Sequence, residues 1–364
     1  MESMVISAIF QSFVAVTSVV PAASSVLPAL MTGCLYEHPV MTEDGEIGID
    51  PTSVTLNAKL KLNLKMPAAE EGGEALLRPE AGESPQYRHR FIIDAYLNRI
   101  CVARQVIYQD IANGRDELTI PVNMKLHARN YEIAVWSDYV QMPNEENDIT
   151  GTEDYFYNPT DNFLLTVYGS ESYRSNNEYK DAFCGMAQLD LEEYRDKWNT
   201  QVSLDMELTR PVMRYQLVAN DVQKFLKLFS DGKLKGDNFI VRVKYISYLK
   251  MGYNVLERIP RHGLMFLQQE RTIKNSALKD QTTYPLTFDY VFADPDALTR
   301  IPVTVEIEVN KKIVASATFN VTGWAGKNTT VTYGFLTADP NGGIDFNPDF
   351  DGEDEIVVPV YPTK

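Results

Sequence analysis

The sequence is poor in the residues on which most enzymes and metalloproteins depend. It holds three cysteines (Cys34, Cys101, Cys184) and four histidines (His38, His89, His127, His262), all scattered. No H-E-x-x-H or C-x-x-C spacing occurs, so no metal site is expected. G-x-S-x-G and G-x-x-x-x-G-K-[ST] are absent too, and Gly169-Ser170-Glu171-Ser172 is a turn rather than a nucleophile elbow. These gaps point away from an enzyme and away from a cofactor. Basic residues are also scarce: 34 Lys and Arg against 50 Asp and Glu give a formal charge of −16. A field of that sign repels phosphate backbones, which speaks against nucleic acid as a partner.

Charge of either sign is missing from Ser3 to Tyr36. Met4 to Val20 is apolar, but Pro21 and Pro28 argue against one continuous spanning helix. The stretch ends in Leu30, Met31, Thr32 and Gly33 before Cys34. Small residues just ahead of a Cys, closing an apolar leader, resemble a lipoprotein signal peptidase site, with the Cys34 thiol taking the lipid. Met31 stands where Leu is usual, and Glu2 is the one charge ahead of the apolar run, where a basic region is expected. Residues 1–33 therefore read as a lipoprotein signal peptide, with simple secretion and a helical anchor as alternatives. Residue 35 is Leu, not the Asp of an inner-membrane retention signal, so the expected location is the outer membrane, lipid-anchored and surface-exposed. With Cys34 acylated, Cys101 and Cys184 either pair or stay as buried thiols, and their spacing does not choose between the two.

Residues 34–51 form a polar tether. The pattern then changes abruptly. Val54, Leu56, Ala58, Leu60, Leu62, Leu64 and Met66 alternate with polar residues, the period of a strand with one buried face. Met66 to Tyr87 reads as a long exposed loop containing Arg78. Strands follow at 90–97 and 100–108, joined at Asn98-Arg99. Another spans 118–126, where Pro121 suggests a sheet edge, and others span 131–136 and 202–208. Residues 138–162 read as an acidic loop, and 179–194 leave room for a short helix. Beyond Arg210-Pro211, strands are expected at 213–219, 239–249, 286–292, 303–309, 313–321, 329–336 and 356–360, with a turn at 310–312. Asp221 looks like the N-cap of a helix bearing Val222, Phe225, Leu226 and Phe229. No repeat of fixed period is visible. About fourteen short strands imply an all-β fold of two tandem β-sandwich domains, 52–210 and 211–364, with one short helix in the second.

Two weaker features have ordinary explanations. Asn347-Pro348-Asp349-Phe350-Asp351-Gly352 opens like an EF-hand loop, but Val358 stands where the bidentate Glu belongs, so a solvated acidic loop is the expectation. Of the three Trp, Trp136 lies in a strand. Trp324, in Gly323-Trp324-Ala325-Gly326, is the candidate for stacking on a sugar ring, against a core role. A glycan-binding surface lipoprotein is thus the alternative function.

Several segments together, Asp50-Pro51-Thr52-Ser53-Val54-Thr55-Leu56-Asn57, Leu208-Thr209-Arg210-Pro211, Phe288-Asp289-Tyr290-Val291-Phe292, Gly342-Gly343-Ile344-Asp345 and Phe350-Asp351-Gly352, carry a family likeness. In their order and in the Cys34 leader the chain resembles the fimbrillin-like outer-membrane lipoproteins of anaerobic Gram-negative bacteria, close to the FimB-type fimbrial anchors. The resemblance implies transthyretin-like Greek-key sandwiches, other fimbrial subunits as partners, and membrane attachment through the N-terminal lipid. It also implies assembly by strand exchange, with Val54–Met66 as the exchangeable segment. Stalk subunits of that class lose such a strand to an arginine-specific protease. No Arg lies between Cys34 and Arg78, so processing would fall at Arg78, Arg88 or Arg90. An uncut chain would stay tethered as an anchor.

Overall fold

A computed structural model describes residues 54–63, 87–110, 117–143, 154–159, 168–169, 173–194, 200–340 and 357–359. The first half contributes nine strands: β1 (Val54–Asn63), β2 (Tyr87–Leu97), β3 (Ile100–Asp110), β4 (Glu117–Leu126), β5 (Asn130–Gln141), β6 (Tyr157–Asn158), β7 (Tyr168–Gly169), β8 (Phe183–Asp190) and β9 (Gln201–Glu207). They form a sheet β4-β1-β9, a sheet β3-β2-β5-β8 and the small β6–β7 pair. The core between the two large sheets is built from Ile120 and Val122 of β4, Phe91 and Ile93 of β2, and Ile133 and Val135 of β5.

The second half follows the same path. Its elements are β10 (Val212–Ala219), α1 (Val222–Ser230), β11 (Asn238–Tyr245), β12 (Leu249–Asn254), β13 (Ile259–Leu264), β14 (Gln268–Lys274), β15 (Tyr284–Phe292), β16 (Thr299–Val309), β17 (Lys312–Gly323), β18 (Asn328–Tyr333) and β19 (Val357–Pro359). The sheets are β15-β10-β18-β19 and β14-β11-β16-β17, with β12–β13 as a separate hairpin. Strand for strand, β15-β10-β18 repeats β4-β1-β9, and β14-β11-β16-β17 repeats β3-β2-β5-β8. In both copies the central strand runs antiparallel to one neighbour and parallel to the other. A tandem topology is present although the sequence shows no period, because burial pattern and not residue identity dictates the path. The fold is all-β with one short α-helix.

The two sheet pairs share a third apolar cluster. Ile92, Ala134 and Trp136, on the outer faces of β2 and β5, meet Phe288, Tyr290 and Phe292 of β15. Trp136 and Tyr157 meet edge to face at 5.5 Å, and Tyr253 stacks on Phe292 at 5.6 Å. All described residues accordingly fall in one compact unit, Glu37–Lys364. Strands β2 and β5 are buried on both faces, which hides the alternation that marks β4.

Several expectations are corrected. Residues 138–141 are not loop but the end of β5, and Asp138 is fully buried there. Residues 239–249 are not one strand: the chain breaks after Tyr245 and restarts at Leu249. Strands β12, β13 and β14 were not expected, and in β13 Pro260 and Gly263 interrupt the pattern. The 179–194 stretch is β8 flanked by single 3-10 turns at Glu178–Lys180 and Glu192–Tyr194. Asp221 stands at the helix N-cap but makes no capping bond. Its carboxylate accepts instead from the backbone N–H of Leu336 and Thr337 and from the Thr337 hydroxyl.

Candidate strand-exchange site

Strand β1 is the middle strand of its sheet. It pairs antiparallel with β4 along its whole length, from Val54 opposite Leu126 to Asn63 opposite Glu117. On its other side it pairs parallel with β9, from Thr55 opposite Gln201 to Lys61 opposite Glu207. The register sets Val54, Leu56, Ala58, Leu60 and Leu62 opposite Leu126, Met124, Val122, Ile120 and Leu118, all five of which are buried in the core. The alternate positions Thr55, Asn57, Lys59 and Lys61 face Lys125, Asn123, Pro121 and Thr119. Asn123 and Lys125 point to solvent. The equivalent strand of the second half, β10, is held in the chain at both ends, by β9 before it and α1 after it. Strand β1 is the first element that the structure describes. Withdrawing it would unpair β4 and β9 together. Pro121 fits its place because β4 is an outer strand of the sheet.

Leu64 and Met66 lie outside the described residues, as do Cys34, its leader residues Leu30, Met31, Thr32 and Gly33, the candidate processing residue Arg78, Trp198 and the 347–352 segment. Arg88 and Arg90 do not lie in a loop: both are inside β2. Trp324 is half-buried at the start of a tight turn, its carbonyl accepting from the Lys327 N–H. Cys101 and Cys184 are free thiols. They sit on β3 and β8, at opposite edges of one sheet. Three inter-strand steps put roughly 14 Å between those strands, beyond disulfide reach. Burial pushes the Cys184 thiol up to about 12 and that of Cys101 up to about 11, so neither is a reactive thiolate.

Where the two sheet pairs meet lies a polar network that sequence reasoning missed. Asp289 of β15 is fully buried, and Lys180 reaches it from the first half, Nζ to Oδ1 2.7 Å. Tyr245 donates to Oδ2 at 2.7 Å, and Tyr173 donates to the same oxygen. Gln269 donates to the Tyr215 hydroxyl at 2.7 Å. Tyr215 is 2.7 Å from the Tyr245 hydroxyl and serves as its donor, because the Tyr245 proton is committed to Asp289. Burial, with the Asp289 carboxylate second, pushes the phenols of Tyr173, Tyr215 and Tyr245 well above their ordinary range, so they remain donors. Burial lowers Lys180. Around this centre, Arg210 pairs with Asp181 at 2.9 Å and Arg214 with Glu178 at 2.8 Å, while Tyr290 donates to Glu178 at 2.5 Å. The one available signal was an Asp between aromatics in Phe288-Asp289-Tyr290, at odds with a buried strand.

Among the described residues no group of His, Cys, Asp or Glu could hold a metal, and no helix is long and apolar enough to cross a membrane. The fold and site thus define an all-β protein of tandem sandwiches whose first described strand is central to its sheet. The chain belongs to a family of unknown function, DUF6562, which matches residues 51–361. A search of curated proteins finds no match. Solved structures similar to it include a fimbrial assembly protein from Parabacteroides distasonis, 10% identical over 76% of this chain and 90% of that one, TM-score 0.36. Another is the fimbrial anchor protein Mfa2 from Porphyromonas gingivalis, 10% identical over 72% of this chain and 81% of that one, TM-score 0.36.

Proposed function

We propose that the protein is a structural component of a surface fimbria, an anchor or accessory subunit held to the outer membrane by lipid on Cys34 and joined to other subunits by β-strand exchange. The observation that carries this reading is the place of β1. It is the first strand that the structure describes, and it is hydrogen-bonded on both sides inside its sheet. A pull on the tether therefore loads two ladders at once, in shear along the strand. Main-chain bonds on both flanks supply attachment, and the alternating register fixes which way the strand faces. The role is mechanical and does not call for catalysis. The −16 charge keeps copies from sticking non-specifically and leaves strand pairing as the means of specific contact.

The experiment is gel electrophoresis of the native fimbrial fraction without boiling, probed for this chain. Strand-exchanged assemblies predict a ladder of high-molecular-weight species that collapses on boiling. A single monomer band under both conditions, from cells that display the protein, would count against the reading.

A further inference from the structure

We propose that Lys180 and Asp289 condense to an intramolecular amide, a covalent cross-link between the two halves of the molecule. The inference is independent of the fimbrial reading. It rests on the state of the two groups and on what surrounds them.

Lys180 Nζ lies 2.7 Å from Asp289 Oδ1, with the lysine side chain 8% exposed and the carboxylate 0%. An ammonium carries three donors. Here it has one carboxylate oxygen and the π face of Tyr173, 4.1 Å away. Burial disfavours the ammonium form of Lys180, and the carboxylate beside it is the base at hand to take the proton as the amine attacks. The carboxyl is also arranged unsymmetrically. Oδ2 receives both phenolic donors, from Tyr173 and Tyr245. Oδ1 faces the amine and accepts the Tyr290 backbone N–H at 2.8 Å. Two fixed donors on one oxygen are what a tetrahedral intermediate needs to carry its negative charge.

The step balances without a co-reactant. The ammonium passes one proton to Oδ1, and its lone pair attacks Cγ, forming the N–Cγ bond with charge on Oδ2 beneath the two phenols. A second nitrogen proton passes to Oδ1, and the Cγ–Oδ1 bond breaks to release one water. Oδ2 remains as the amide oxygen. Holding the two groups in contact supplies the effective concentration that favours the amide. The product ties residue 180, just ahead of β8, to β15, across the joint between the two sandwiches. Loads passing from one sandwich to the other would then be borne by a covalent bond.

The test is peptide mass mapping of the full purified chain after trypsin digestion. Trypsin does not cut after an acylated lysine. The cross-link predicts that residues 175–195 and 280–300 appear as one branched species, lighter than the sum of those two peptides by one water and lighter than the three peptides of an unlinked digest (175–180, 181–195 and 280–300) by two. Lys180→Arg keeps the ion pair but cannot form this amide, and it should give 175–180, 181–195 and 280–300 as three separate peptides. Tyr173→Phe removes one donor from Oδ2 and should lower the linked fraction in freshly made protein. Separate peptides ending at Lys180 and spanning Asp289 from aged wild-type protein, with no branched species, would overturn the proposal whatever the variants do.

Discussion

Arg90 and Asp138 stand directly opposite each other on β2 and β5, and the guanidinium grips the carboxylate with two nitrogens, Nε to Oδ1 at 2.9 Å and Nη2 to Oδ2 at 2.6 Å. The Asp138 side chain is 0% exposed and that of Arg90 9%. Arg90 also bonds Asp154. Removing Asp138 takes away both of its bonds to the buried guanidinium and leaves it only the partly exposed Asp154. Asp138→Ala should therefore lower unfolding free energy by about 3–5 kcal/mol. Replacing both partners with apolar residues of similar volume should cost much less. Urea denaturation of the single and double variants measures the difference.

The same pair decides where an arginine-specific protease can act. Arg90 is locked in a central strand, and Arg88, also within β2, lies over the Tyr108 ring at 4.2 Å. Proteolysis needs an extended, accessible backbone. Limited digestion of the folded chain should spare both sites. Early cleavage after Arg88 or Arg90 would contradict the placement of β2.

His89 sets an acid limit. It is buried beside Tyr139, ring centroids 4.0 Å apart, and burial pushes its pKa down to about 4. Below its ordinary value of about 6.5 the unfolded chain takes up a proton that the folded chain refuses. Stability from this group is therefore complete above about pH 6.5 and falls by about 1.4 kcal/mol per pH unit toward the folded value. His89→Phe should flatten the profile between those limits. Melting temperature against pH for wild type and variant reads the slope, and parallel profiles would refute the assignment.

What the sequence revealed follows from local physics. The turns Asn98-Arg99 and Asn310-Lys311 were legible because two-residue hairpins need positive φ at both positions, and the structure has 52° and 64° in the first and 50° and 64° in the second. Strand β4 was legible because one face is wet. Strand β5 was underestimated because its second face is covered by Phe292 and its neighbours, so Asp138 in the sequence looks like loop. The Lys180–Asp289 centre was invisible because its members come from residues 109 apart, and only the joint between the sandwiches brings them together. For the strand-exchange site, the alternation of 54–66 was plain, but its central place between β4 and a parallel β9 was not. Parallel pairing joins residues far apart in the chain and leaves no local mark.

Gly185 of β8 tests how tightly β9 is held. A Cβ there would lie 2.7 Å from Leu208 Cδ2, 3.1 Å from Met206 Sδ and 3.3 Å from the Glu207 carbonyl oxygen. Next to it, Cys184 and Thr209 exchange backbone bonds of 2.8 and 2.9 Å. Gly185→Ala should push the end of β9 away and cost about 1–3 kcal/mol. Amide exchange in β9 should speed up with it, since that strand flanks β1. Unchanged urea midpoints would show the crossing to be looser than described.

The mature N-terminus, read by mass spectrometry on protein taken from the cell surface, bears most directly on the account. The account predicts a chain beginning at an acylated Cys34, with β1 still part of the molecule. A chain beginning just after Arg78, with β1 gone, would contradict it.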